Sequence, residues 1–349
     1  MAFYHGKCRA KWLQCCSRNY HEITGAVHNW VMENSNQVIA VTGASGYLGS
    51  RLLLHLEDQN LQKLVGFDLN PPPNPIHNIV RYRMDLKDSI EDILRNHRVT
   101  TVIHLASSPY HNYNRRDIRN ARNTNLNLLS NVLHSSYKSG VRQIVYISSH
   151  TVYGARSDNP VPLTEKAPLL ISEEFSYGYE QFLADQTLDT FAEDHPETKI
   201  TLLRCCPILG PAATNRIFTL FMQPHPVGTI GFDPSFQFLH EDDFAKLLTI
   251  FINKELAGVF NVAGNGVIFL SEIREMISHK IPKLPSYVVN PLLVFSRLLG
   301  IQKTQTQMDL DFLRYSTILS TGKLEYASGF RPTYSSLETL RSYANSVLY

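Results

Sequence analysis

The 349-residue chain is 43% hydrophobic and 18% charged, the composition of a globular protein with a sizeable core rather than a disordered one. Its formal net charge of +2 comes from the N terminus, where residues 1–31 carry Lys7, Arg9, Lys11 and Arg18 against Glu22; the remainder is close to neutral. That balance excludes the broad basic surface of a nucleic-acid binder, and no stable membrane insertion is expected.

Residues 1–34 read as an extension. Met32 is followed by a short polar stretch and then at once by the first strand, so it reads as the natural start, with residues 1–31 a translated upstream segment or a tail. Cys8, Cys15 and Cys16 lie there with His5 and His21, at a spacing that matches no zinc motif. Cys205 and Cys206 end a buried strand, and no metal site is expected. Without a disulfide framework the compartment reads as reducing and cytoplasmic.

From residue 38 short apolar runs alternate with helical stretches, the pattern of parallel strands joined by crossover helices. The strands are expected at 38–41, Leu64–Phe67, Ile79–Met84, Thr101–Leu105, Gln143–Ile147 and Ile200–Leu203, with helices near 47–57, 88–96, 117–138 and 175–194. The fold class is therefore α/β, a doubly wound parallel sheet of Rossmann type. After Pro207 the regularity gives way to proline- and glycine-punctuated loops, Val259–Val262 returns to the sheet, and 270–349 form a small, mostly helical lobe. The expected division is a nucleotide-binding domain over 35–206, with a returning strand near 258–263, and a substrate-binding lobe over 207–349. The apolar stretch Tyr287–Leu299 is too short to span a bilayer and reads as cleft lining or packing surface.

Thr42-Gly43-Ala44-Ser45-Gly46-Tyr47-Leu48-Gly49 follows the first strand and opens a helix. Gly43 permits a tight turn, Gly46 lets backbone approach a pyrophosphate, and Gly49 lets the helix lie close to the strand, whose unpaired N–H groups then face the phosphates. Asp68 stands nineteen residues beyond Gly49 at the end of the second strand. A carboxylate there accepts from adenine-ribose hydroxyls and repels a 2′-phosphate, which favours NAD over NADP; the competing reading is a cap on the turn with Asn70. Asp85 reads either as a partner of the adenine amino group or as a turn residue.

These elements, together with His104-Leu105-Ala106, Asn125, Ser148-Ser149-His150-Thr151-Val152-Tyr153-Gly154, Tyr177-Gly178, Leu203-Arg204 and Phe238-Leu239-His240-Glu241-Asp242-Asp243, resemble the extended short-chain dehydrogenase/reductase superfamily, its NAD-dependent epimerase/dehydratase group, over about residues 38–265. The resemblance implies a catalytic Ser149 and Tyr177, with hydride moving to or from a nicotinamide while the tyrosine exchanges a proton. It places the cofactor against Gly43, Ser45, Gly46, Tyr47, Leu48, Gly49, Asp68, Asp85, Leu86, Leu105, Ala106, Ser107, Asn125, Tyr177 and Gln181. It also implies a homodimer through the helices near 117–138 and 175–194.

Two departures qualify it. The family pattern Tyr-x-x-x-Lys reads Tyr177-Gly-Tyr-Glu-Gln181 here, and no tyrosine in the chain is followed by lysine at that spacing. Gln181 can hydrogen-bond a ribose but supplies no charge to lower the tyrosine pKa. Where many nucleotide-sugar enzymes of the family carry asparagine after the Leu-Arg pair, this chain has Pro207. Three functions remain open: a nucleotide-sugar epimerase, dehydratase or dehydrogenase; a catalytically impaired NAD-binding protein; and a dehydrogenase of apolar, sterol-like alcohols. Arg115, Arg119 and Arg122 recur at helical spacing and read as a solvated helix face, with a phosphate contact as the competing reading; Asp243 reads as a helix cap, His104 as a core or cofactor-facing residue, and His111, His150 and His240 as lacking any metal spacing. Ser149 and His150 are expected on opposite faces, as adjacent strand residues.

Overall fold

The computed structural model describes residues 37–59, 63–73, 75–108, 115–213, 228–229, 231–277, 283–284 and 311–348. The question of Met32, the three N-terminal cysteines, His111 and the stretch Tyr287–Leu299 lie outside them.

Seven parallel strands make the sheet: β1 (Val38–Thr42), β2 (Lys63–Asp68), β3 (Ile79–Arg83), β4 (Thr101–His104), β5 (Gln143–Ser149), β6 (Lys199–Cys205) and β7 (Gly258–Val262), in the order β7-β6-β5-β4-β1-β2-β3. Among the described residues the helices are α1 (Tyr47–Gln59), α2 (Glu91–His97), α3 (Arg115–Lys138), α4 (Ser176–Asp194), α5 (Glu241–Lys254), α6 (Leu270–Ile277), α7 (Gly322–Ser328) and α8 (Ser336–Leu348). The alternation of a strand divides the core. Ile39 and Val41 of β1 join Leu52, Leu53 and Leu56 of α1 and Phe244, Leu248 and Phe251 of α5 on one face. Val38 and Ala40 join Leu94 of α2, Val132 and Leu133 of α3 and Leu188 of α4 on the other. Residues 241–254, expected in the second lobe from the sequence, pack their apolar side chains into the same core cluster as β1 and α1.

The segment after Pro207 contributes a separate cluster that includes Leu209, Phe238, Ile268, Ile273 and Leu340. Among the described residues it also carries two-residue strand pairs, Ser235–Phe236 with Ile268–Phe269 being one. No helix among the described residues is long and apolar enough to cross a membrane. Chain order reverses between β1 and β4, so their C-terminal ends diverge into a crevice, the place where doubly wound sheets bind ligands.

Candidate active site

The glycine loop fills one side of that crevice. Gly43 has φ of +70°, and a Cβ on it would stand 2.8 Å from the Ala106 backbone nitrogen. A Cβ on Gly49 would stand 2.1 Å from the Gly43 carbonyl oxygen, so only glycine lets α1 rest on the turn. Gly46 differs. It is exposed, and a Cβ there would meet only the Gly43 oxygen, at 3.2 Å. Open space over a backbone turn at the N terminus of α1 fits a diphosphate.

Asp68 closes the turn from below: Oδ2 accepts the Ser45 N–H at 2.9 Å and Oδ1 the Asn70 N–H at 2.8 Å, while Ser45 Oγ donates to the Asn70 carbonyl at 2.9 Å. The turn-capping role is real, yet each oxygen keeps a second lone pair for a ribose hydroxyl. Asp85 accepts the Lys87 N–H at 3.0 Å, the turn role, and the Leu86 side chain is buried in the core.

Across the crevice, Thr42 Oγ1 accepts the N–H groups of Leu105 at 3.2 Å and Ala106 at 3.3 Å, so its own proton goes to His104 Nδ1 at 2.7 Å. Burial drives the His104 pKa down to about 4, leaving a neutral ring that ties β1 to β4. Ser107 is exposed, and Asn125 clamps the following residue: its Oδ1 accepts the Ser108 N–H at 2.6 Å, and Nδ2 donates to the Ser108 carbonyl at 3.2 Å and to Glu180 Oε1 at 2.9 Å.

Ser149 ends β5 and caps the single 3-10 turn His150–Tyr153. Its Oγ accepts from the Thr151 N–H at 3.2 Å and the Thr151 hydroxyl at 3.0 Å, which occupies both lone pairs and leaves its proton to be donated. The Ser149 side chain lies close enough to the Tyr177 hydroxyl of α4 to act on its titration. The Tyr177 residue is 42% exposed, whereas its hydroxyl end is buried. That burial pushes its pKa up to about 12, against the lowering by Ser149, with Glu180 and Cys205 adding to the rise. One turn on, Gln181 is buried and its Oε1 accepts from the Tyr146 hydroxyl at 3.3 Å, which leaves its amide N–H groups as donors. His150 is no strand residue, because β5 gives way to the 3-10 turn at that position, so strand alternation does not set its direction.

Sequence patterns do not single out Thr151 or Tyr146; a Ser-x-Thr at the end of a strand is the one available signal for the first. The same holds for Glu241, buried at the start of α5, which accepts from the Tyr47 hydroxyl at 2.5 Å. Two expectations are corrected. Asp243 does not cap α5, since His240 does so through the Asp242 N–H at 3.2 Å; Asp243 Oδ2 instead accepts the Thr333 and Tyr334 N–H groups at 2.8 and 2.9 Å, holding the loop before α8. Arg122 is buried against α4, pairing with Glu173 at 3.0 Å and lying 4.9 Å above the Tyr179 ring, while Arg119 is exposed as expected. Behind the site Arg204 meets Asp185 of α4 at 2.9 Å and the Tyr153 hydroxyl at 3.1 Å, and that hydroxyl donates to Asn261 of β7 at 2.7 Å.

Residues 39–263 match the NAD dependent epimerase/dehydratase family. An uncharacterised protein of Mycobacterium tuberculosis is 25% identical over 321 residues, 88% of this chain and 83% of its own length. UDP-glucose 4-epimerase of Erwinia amylovora is 27% identical over 208 residues, covering 56% of this chain and 57% of its own. Among solved structures, UDP-glucose 4-epimerase of Thermotoga maritima with UDP-glucose superposes with a TM-score of 0.67 at 19% identity, over 89% of this chain and 98% of that one. The Bordetella bronchiseptica enzyme WbmG with NAD and UDP does so with a TM-score of 0.67 at 19% identity, over 88% and 93%.

Proposed function

The chain belongs to the NAD dependent epimerase/dehydratase family, and we propose that it is an NAD-dependent oxidoreductase that moves hydride between its cofactor and a hydroxyl-bearing carbon of a nucleotide sugar. Bound NAD supplies the hydride acceptor. The loop Gly43–Gly49 and the N terminus of α1 hold its diphosphate, Asp68 takes the adenine-ribose hydroxyls, and a Gln181 amide N–H takes the nicotinamide ribose. Ser149 donates to the reacting oxygen, and the Tyr177 phenolate takes that oxygen's proton during oxidation, becoming the hydroxyl that returns it during reduction.

One observation carries this reading: Ser149 has both lone pairs engaged by Thr151, so its only proton is left for Tyr177 or for a substrate oxygen lying between them. The sugar-nucleotide part is supported by the neighbours, which include epimerases and proteins bound to UDP or UDP-glucose. Calorimetric titration with NAD and NADP, then a thermal-shift screen of the NAD-loaded protein with UDP-, dTDP- and GDP-hexoses, tests it; a bound ligand raises the melting point with occupancy. Absence of NAD affinity, or of any hexose-dependent shift, refutes it.

A second reading rests on Gln181 and the raised pKa of Tyr177. Without a neighbouring cation the tyrosine at neutral pH is almost wholly protonated, and the protein holds NAD with little turnover. Gln181→Lys separates the two. A rise in hydride transfer by orders of magnitude at unchanged NAD affinity marks the natural chain as impaired, whereas brisk turnover in the wild type rejects that view. A homodimer through α3 and α4 belongs to the same proposal, and sedimentation velocity reads it directly.

A further inference from the structure

Asp68 does not stand alone at the end of β2. The parallel ladder pairs Gly66 with Arg81 and Asp68 with Arg83 of the edge strand β3. Paired residues of a ladder project from the same face of a sheet. Leu64 and Ile79 pack on the α1 face with Ile39 and Val41, whereas Val65, Phe67 and Tyr82 pack on the other. By period two, Asp68, Arg81 and Arg83 therefore share the α1 face. The glycine loop lies on that face too: a Cβ on Gly66 would stand 3.0 Å from that of Ala44, and the Ser45 N–H reaches Asp68 Oδ2 at 2.9 Å.

Arg83 is fixed at the Asp68 turn. Its Nε donates at 3.0 Å to the carbonyl of Leu69, the residue between Asp68 and Asn70, and the Asn70 N–H donates to Asp68 Oδ1 at 2.8 Å. Arg83, Leu69 and Asn70 are all exposed, and among the described residues the Nη1 and Nη2 groups of Arg83 make no hydrogen bond and no ion pair. Arg81 adds a second positive charge. Its Nη2 is buried without a partner among the described residues, and Asp68 and Glu57 are the carboxylates that act on it. Glu57 is engaged by the His77 and Asn78 N–H groups at 2.6 and 3.3 Å, and Asp85, beyond the strand, by Lys87 at 3.6 Å.

An exposed guanidinium tethered at Nε presents its remaining N–H groups as a planar fork, the arrangement that grips a phosphate through two hydrogen bonds. A carboxylate at the end of the second strand repels a 2′-phosphate, and an arginine nearby accommodates one. Here the carboxylate already accepts two backbone N–H groups, and two guanidinium charges share its face. We propose that Arg83 binds a phosphate on the 2′ carbon of the adenine ribose, with Arg81 supplying further positive charge, so that the protein takes NADP as well as NAD. This rests on the dinucleotide reading above and widens it.

Calorimetric titration of the wild-type protein is the first measurement. NADP is expected to bind within about tenfold of NAD, and a wider gap in favour of NAD overturns the proposal. Arg83→Gln removes charge and fork at an exposed position, and is expected to weaken NADP by about tenfold or more while NAD changes by less than about threefold. The fragments 2′,5′-ADP and ADP repeat the comparison without the nicotinamide half. A third fragment, 3′,5′-ADP, carries the phosphate pattern of coenzyme A and is expected to bind more weakly than 2′,5′-ADP. An Arg83→Gln protein that keeps its NADP affinity, a parallel loss for NAD, or 3′,5′-ADP binding as tight as that of 2′,5′-ADP overturns the proposal. If neither dinucleotide binds, the dinucleotide reading and this inference fall together; if NAD binds and NADP does not, only the inference falls.

Discussion

Tyr47, the first residue of α1, donates its hydroxyl at 2.5 Å to Glu241, the first residue of α5, across 194 positions of sequence. The carboxylate is almost fully buried and also meets Arg51 Nε at 3.4 Å, and a Cβ on Gly210 would lie 2.2 Å from its Cδ. The loop Gly43–Gly49 and the start of α1 are thereby fastened to the N terminus of α5. Tyr47→Phe leaves an acceptor of that carboxylate unpaired and is expected to cost about 1–3 kcal/mol in urea denaturation. Gly210→Ala is expected to cost at least as much, because the added methyl displaces the same carboxylate. If both variants melt like wild type, the fastening has no energetic weight.

The glycines of the loop separate by role. Gly49→Ala drives a methyl into the Gly43 carbonyl and is expected to lower stability by about 1–3 kcal/mol before any ligand is added. Gly46→Ala meets nothing closer than 3.2 Å, so its melting temperature stays near that of wild type while NAD affinity drops by more than about tenfold, the methyl occupying the place of the diphosphate. Scanning calorimetry with and without NAD distinguishes the two. A Gly46→Ala protein that binds NAD normally moves the diphosphate elsewhere.

With the Tyr177 pKa pushed up to about 12, alcohol oxidation that needs the phenolate rises with pH across the whole accessible range, by about tenfold per unit from pH 7 to 10. Reduction, which uses the protonated tyrosine, stays flat over the same range. Gln181→Lys brings a positive charge one helical turn away and is expected to move the oxidation plateau to lower pH. Initial rates with the best substrate of the hexose screen give both profiles. A wild-type plateau near neutrality means that another cation serves Tyr177.

Burial of His104 lowers its pKa from 6.5 to about 4, so the folded state resists protonation that the unfolded chain accepts. The stability this represents is complete above pH 6.5 and is lost as pH falls toward 4, about 2–3 kcal/mol by pH 4.5. His104→Asn keeps an acceptor for the Thr42 hydroxyl without titrating, and its acid loss between pH 7 and 4.5 should be smaller by that amount. Equal losses would mean the ring is charged or solvated in the fold.

Arg204 is buried against Asp185, whose pKa rises to about 6 because burial outweighs the guanidinium. Arg204→Met strands that carboxyl together with the Tyr153 hydroxyl and is expected to cost about 3–5 kcal/mol, whereas adding Asp185→Leu recovers most of the loss. Denaturant midpoints of the two single variants and the double variant measure the coupling.

Much of the sheet and of the candidate site is legible in the amino-acid order. Strand and helix positions follow from hydrophobic period, and the boundaries differ by only a few residues, as where the strand expected at Gln143–Ile147 runs on to Ser149. Ser149 and Tyr177 are legible from motif and spacing. Asp68 reads as either a ribose ligand or a turn cap, and it occupies the cap while keeping lone pairs for the other role. The corrected expectations have a common cause. Local rules make Arg122 part of a charged stripe and Asp243 a preferred cap residue, and each is claimed by a partner far along the chain: Glu173 and the backbone at 333–334.

By itself the amino-acid order determined the alternating sheet, the turn that only glycine can make at Gly43 and Gly49, and the residue types able to exchange a proton. These depend on period-two and period-3.6 patterning and on backbone sterics, which act over a few residues. Tertiary structure alone decided that Thr151 fills the lone pairs of Ser149, that Gln181 leans on Tyr146, and that Phe312 lies against His150 while its Nδ1 stays unpaired. Desolvation and hydrogen-bond direction set what those groups can do, and both depend on which distant elements the packed core brings into contact.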